Sequence, residues 1–266
     1  MKATRKLIPA IALLLVSAVL LSTASYAWFT TNKTVTGTMS VGVTAPQNLQ
    51  ISYANQNSGA WTYAVMFNDA AVKLTPVSSA DGKSFVLVKG LVLDEDGVLG
   101  TDDLEKIGVD VNAGGYAGSI DTLDEDNDGA GEYYWLEYEF QLRATTAIDG
   151  TEWVLGLDVA VSASEAYLDA MRIFIYEGDN LVYSSNGNLD AADADDKPII
   201  STGSGFELGT PVTLEDNAAD VELAAATPKT FTVIVFIEGN DTACVSANVD
   251  TNPDVDITIT FTTSEV

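Results

Sequence analysis

The densest set of oxygen ligands in the 266-residue sequence is Asp124-Glu125-Asp126-Asn127-Asp128-Gly129. Carboxylates at the first, third and fifth positions, followed by a glycine that permits a sharp turn, are how a calcium loop begins to wrap a hard cation. The complete helix-loop-helix version also needs a bidentate Glu at the twelfth position, and Trp135 stands there. The pattern therefore reads as a looser Asp-rich loop, with Asp124, Asp126, Asp128 and Glu132 as candidate Ca²⁺ ligands, or as a solvated acidic turn. In residues 94–105 the glycine, Gly97, falls at the fourth position instead of the sixth, and residues 190–196 read as an exposed charged loop.

Other chemistries are poorly supplied. The chain has no histidine, which removes the commonest general base, the Ser-His-Asp and Cys-His nucleophile systems and His-based zinc sites. Paired carboxylates across a sugar would suit a glycosidase, but none sits in a distinctive motif among 39 acidic residues. No catalytic residue is expected, and the chain is read as a non-enzyme. Trp28, Trp61, Trp135 and Trp153 offer a sugar-stacking platform, although Trp135 and Trp153 lie within strand patterns and suit a core equally well. Asn32-Lys33-Thr34 and Asn240-Asp241-Thr242 are glycosylation sequons. Cys244 is the only cysteine, so no intramolecular disulfide forms; a small buried hydrophobe or an intermolecular bridge are its two readings.

The elements that must position these residues are strands. In residues 34–43 Val35, Met39, Val41 and Val43 fall on one face and Thr or Ser fill most of the other, while Gly37 breaks the row as at a bulge. Similar segments recur at 50–53, 60–67, 84–93, 133–144, 152–162, 170–177, 180–184, 231–238 and 256–263, separated by Gly, Asp, Asn or Pro. Hairpins are expected around Ile148-Asp149-Gly150 and around Gly178-Asp179-Asn180. Short helices are expected at 164–170 and 214–226, the second with Pro228 after its end. The fold class is all-β: an antiparallel, jelly-roll-like sandwich with short helices and acidic loop insertions.

The N-terminus carries an export signal. Lys2, Arg5 and Lys6 precede an apolar run from Leu7 to Leu21, and Ser25 and Ala27 supply small residues at −3 and −1 of a cleavage site. The run is shorter than the roughly 20 residues a membrane-spanning helix needs. The domain reading is a signal peptide at 1–27, an N-terminal strand segment at 28–43 and one β domain at 44–266, with an uncleaved membrane anchor as the alternative to cleavage. Cleavage removes three cations and no anion, so the formal charge moves from −27 to −30. With few, scattered cations left there is no basic face for nucleic acid, and a charge of this size makes assembly sensitive to ionic strength.

Ala24-Ser25-Tyr26-Ala27-Trp28-Phe29-Thr30 resembles the "TYAWFT" junction of signal peptides cut by the SipW-type signal peptidase, and 231–244, with Glu238-Gly239-Asn240-Asp241 before Cys244, resembles the closing pattern of the same group. The group is the TasA and camelysin family of biofilm-matrix fibre subunits. The resemblance covers the two ends; residues 91–217 share only general β character. It implies a jelly-roll subunit, secreted to the matrix or cell surface, whose freed N-terminal segment inserts as a strand into the next subunit. Signal peptidase is then a partner during export, and copies of the chain are partners in a homopolymer. The metallopeptidase activity described for some camelysin-like relatives does not carry over without a His-Glu-x-x-His motif. The residues agree with polymerisation: Trp28, Phe29, Val35, Met39, Val41 and Val43 form an apolar strand suited to a neighbour's sheet. The function expected is a structural subunit of an extracellular fibre, joined head-to-tail by that strand. A membrane-anchored or surface-layer adhesion protein, or a carbohydrate-binding module, is the alternative.

Overall fold

Period-two alternation decides the architecture, because a strand with one apolar face must lay it against another sheet. The computed structural model describes residues 35–54, 61–87, 109–110, 131–150, 152–162, 170–185, 197–202, 205–210, 212, 218–241 and 254–266. The strands are β1 (Val35–Thr44), β2 (Leu49–Tyr53), β3 (Ala64–Leu74), β4 (Val77–Ser78), β5 (Val86–Leu87), β6 (Val109–Asp110), β7 (Gly131–Tyr133) and β8 (Trp135–Ala144). They continue with β9 (Trp153–Ser162), β10 (Met171–Glu177), β11 (Asn180–Ser184), β12 (Ile199–Thr202), β13 (Gly205–Leu208), β14 (Lys229–Ile237) and β15 (Asp254–Glu265). Two five-stranded sheets, in the orders β7-β3-β1-β15-β9 and β11-β10-β14-β8-β2, form an all-β sandwich.

The sheets face each other through one core. Met39, Val41, Val43, Leu155, Leu157, Val255, Ile257, Ile259 and Phe261 come from the first sheet; Ile51, Phe140, Leu142, Ile173, Phe231, Val233 and Val235 come from the second. Phe140, Phe231 and Phe261 bridge the layers with ring centroids 5.3–5.8 Å apart. The outer side of the second sheet carries a smaller core, in which Phe85 stacks on Trp135 at 4.1 Å and Phe174 and Phe236 pack beside them. Here β4 and β5 cover β10 and β14, so these two strands are buried on both faces and read as near-continuous apolar runs.

Two sequence expectations change. Residues 218–226 are not helical beyond a single 3-10 turn at Ala218–Asp220; Leu223 instead exchanges backbone hydrogen bonds with Ile148, and its buried side chain alternates with exposed neighbours. The 148–150 turn does not close a hairpin, because β8 and β9 lie in opposite sheets and the turn carries the chain between layers. The Gly-rich 201–205 stretch turns a short hairpin, β12–β13. The hairpin around Gly178 is present, with Glu177 opposite Asn180, and the register shift at Gly37 is the expected bulge. Residues 163–169, expected as helix, lie outside the described residues.

Candidate functional site

β1 is the element on which a function of assembly turns. It occupies the middle of its sheet, antiparallel to β3 and parallel to β15, with Val41 opposite Phe67 on one side and Ile257 on the other. Met39, Val41 and Val43 are 5, 0 and 0% exposed, so the alternation read from the sequence is a core face of the chain's own sandwich. Four residues, 45–48, connect β1 to β2 in the other sheet. Leu49 N–H donates to the Pro46 carbonyl at 2.9 Å, and Ala45 N–H donates to Tyr63 O at 2.9 Å. Toward the neighbouring edge, the Tyr53 hydroxyl donates to Met66 O at 2.8 Å and accepts from Met66 N–H at 3.2 Å, so a side chain satisfies backbone groups that another strand would otherwise pair.

A buried polar node sits where β14 ends. Glu238 accepts hydrogen bonds from Ser79 N–H (3.2 Å) and Asn240 N–H (3.1 Å), and Gly239 N–H donates to Val77 O at 2.9 Å, fastening β4 to β14. Arg172 pairs with Asp241 at 2.5 Å, both largely buried. Burial pushes the Glu238 carboxyl up to about 7, against the opposing effects of the Ser78 hydroxyl, the Arg172 charge and the two backbone donors. With Glu238 2% exposed, the group acts on stability rather than on a substrate. Asn240 is 6% exposed and donates from Nδ2 to Lys197 O at 2.5 Å, so in the folded chain this sequon is closed to a glycosylating enzyme. The sequence presents Glu238-Gly239-Asn240-Asp241 as part of a family closing pattern at a strand end; two carboxylates and an Asn directly after a doubly buried strand are the signal of a buried node.

The other residues singled out from the sequence divide into those the structure describes and those it does not. Trp28, Phe29, Asn32, Asp124, Asp126, Asp128 and Cys244 lie outside the described residues. Val35 and Glu132 fall at the start of β1 and within β7, and Lys73 is the register partner of Glu132. Trp135 is buried, Trp153 is half-buried, and Trp61 lies under the Arg143 guanidinium at 3.9 Å, which Gln50 Oε1 holds at 2.8 and 3.0 Å. Among the described residues no group of three or more His, Cys, Asp or Glu side chains could hold a metal ion, and no helix is long and apolar enough to cross a membrane.

A family model described as the Sulfocyanin (SoxE) domain matches residues 8–123. The match takes in β1–β6 and leaves out β7–β15; it spans less than half of the chain. No curated protein matches the sequence. Two expectations are thereby corrected. The family whose model matches is not that of TasA and camelysin; the terminal motifs that suggested it are short, whereas this match runs over residues 8–123. The matched family is one of cupredoxin-like copper domains, which overturns Ca²⁺ as the cofactor; Asp124, Asp126 and Asp128 themselves lie outside the described residues. In a chain with 39 acidic residues, three carboxylates at alternate positions arise readily without a site.

Copper does not fit this chain either. A blue copper centre takes two imidazoles, one thiolate and a weak axial thioether. The sequence has no His, and Cys244 lies beyond the matched stretch. Of the two Met residues within the match, Met39 is packed into the core and Met66 is 57% exposed. The donor set is missing, so the match bears on the β architecture and not on a metal.

Proposed function

We propose that the chain is an exported structural subunit of the extracellular matrix or cell surface that joins copies of itself by exchanging β1. The observation that supports this reading is the position of β1: an N-terminal strand in the middle of a sheet, attached to the rest of the domain only through residues 45–48. Such a strand can be replaced by the same strand of a neighbour with each contact to β3 and β15 reproduced, so the exchange costs little beyond strain in the connection. Pro46 restricts Ala45 to extended backbone, and residues 46–49 form a turn closed by the Leu49 N–H to Pro46 O bond. Reciprocal exchange closes a dimer; exchange in one direction is head-to-tail, does not close and grows a filament. Trp28 and Phe29 precede the strand and would travel with it into the neighbour.

The test is electron microscopy of the chain beginning at Trp28, alone and with an excess of a synthetic peptide covering residues 28–44. Filaments are expected from the chain alone, and the peptide should shorten them by occupying the acceptor slot. Filaments unchanged by the peptide, or a chain that stays monomeric at every concentration, would overturn the proposal.

A further inference from the structure

One end of the sandwich carries a cleft of about 340 Å³ between the β1–β2 connection, the β8–β9 connection and the last turn of β15. Its lining includes Gln47, Asn48, Thr146, Ile148, Trp153 and Thr263. No charged side chain lines it, which is unusual for a chain of formal charge −27. By contrast, the cleft beside the β10–β11 hairpin is lined by Glu177, Asp179, Asp220, Glu222 and Lys229. A neutral lining within so acidic a protein removes the repulsion and the cation attraction that the rest of the surface exerts on small ligands.

The polar groups are held in place. Asn48 O accepts from Thr145 N–H at 2.8 Å and from the Thr145 hydroxyl at 3.0 Å. The Asn48 amide donates from Nδ2 to Thr263 Oγ1 at 2.9 Å. Ile148 is 2% exposed and tied to Leu223 through both backbone groups, giving the cleft a rigid floor. Trp153 is half-buried against the core, with the rest of its ring on the cleft. An indole surface flanked by amides and hydroxyls, with no formal charge, matches the two faces of a pyranose: apolar C–H groups on one side, hydroxyl donors and acceptors around the rim.

We infer that this cleft binds a neutral sugar residue, as one end of an oligosaccharide, with Trp153 as the stacking surface and Gln47 and Asn48 as the hydroxyl partners. The volume suits a single ring, so recognition is local and weak per site. Repetition along a polymer of subunits would raise avidity through effective concentration, a gain that rests on the assembly proposed above; the binding itself does not.

The experiment titrates the chain beginning at Trp28 with chitotriose, cellotriose, maltotriose and, as an anionic control, trigalacturonate, following the indole resonances by NMR. At least one neutral trisaccharide is expected to shift the Trp153 indole saturably, at concentrations up to about 10 mM, with trigalacturonate bound at least about tenfold more weakly. Gln47→Ala and Trp153→Phe should each weaken that binding about tenfold or more, and Trp61→Ala, which is outside the cleft lining, should leave it unchanged. Gln47 is exposed, so its variant remains informative if Trp153→Phe unfolds. No saturable shift with any neutral sugar, equal binding of trigalacturonate, or binding indifferent to Gln47→Ala would overturn the inference. A peptide that blocks filaments without altering the sugar titration leaves this inference standing while testing the other.

Discussion

Glu238 is the residue whose physics reaches furthest. Its carboxyl is raised from the ordinary range to about 7, chiefly by burial. A raised folded-state value means that stability is fully present below the unfolded value near 4.5 and is lost as pH rises through about 7. Because the chain has no histidine, the window between the carboxylates and the thiol holds little else that titrates. Thermal unfolding followed between about pH 8 and pH 5 should therefore show the wild type gaining on the order of 3 kcal/mol as pH falls, while Glu238→Gln gives a nearly flat profile. A variant profile as steep as the wild type's would mean that another group is responsible.

At the scale of elements, β1 is a core strand of its own sheet before it is anything else. Val41 is fully buried between β3 and β15, so Val41→Ala should cost about 2 kcal/mol in denaturant unfolding. Met66→Ser on the outer face, where the side chain is 57% exposed, should change stability by about 0.5 kcal/mol or less. Equal losses at the two positions would contradict the inward face assigned to β1. The same strand shows what alternation can carry: the inward face of Met39, Val41 and Val43, and the bulge at Gly37, are legible because each depends on near neighbours in sequence. The 218–226 segment is not, since its acidic start and trailing Pro228 satisfy helix rules locally while the pairing of Leu223 with Ile148 is a contact across 75 positions.

For the whole molecule, the decisive contrast is between architecture and donor set. The fold is an all-β sandwich and a sulfocyanin-domain model matches residues 8–123, yet no pair of imidazoles exists to hold copper. Addition of one equivalent of Cu²⁺ should produce no intense blue thiolate-to-copper absorption and no change in the unfolding midpoint. A blue band, or a midpoint raised by copper and restored by a chelator, would show that the chain assembles a site from other donors.

Local reading of the chain reaches the all-β class, the apolar face of β1, the acidic charge and the absence of imidazole chemistry, because composition and period-two alternation are properties of neighbouring residues. It does not determine which strands are partners. That β1 lies parallel to β15, that β8 and β9 part into opposite sheets, and that Glu238, Arg172, Asn240 and Asp241 meet in one buried node depend on contacts between residues far apart in the chain. The neutral cleft at Trp153 is of the same kind: its residues come from positions 47–48, 146–148, 153 and 263, and only the packing of two sheets brings them to one end.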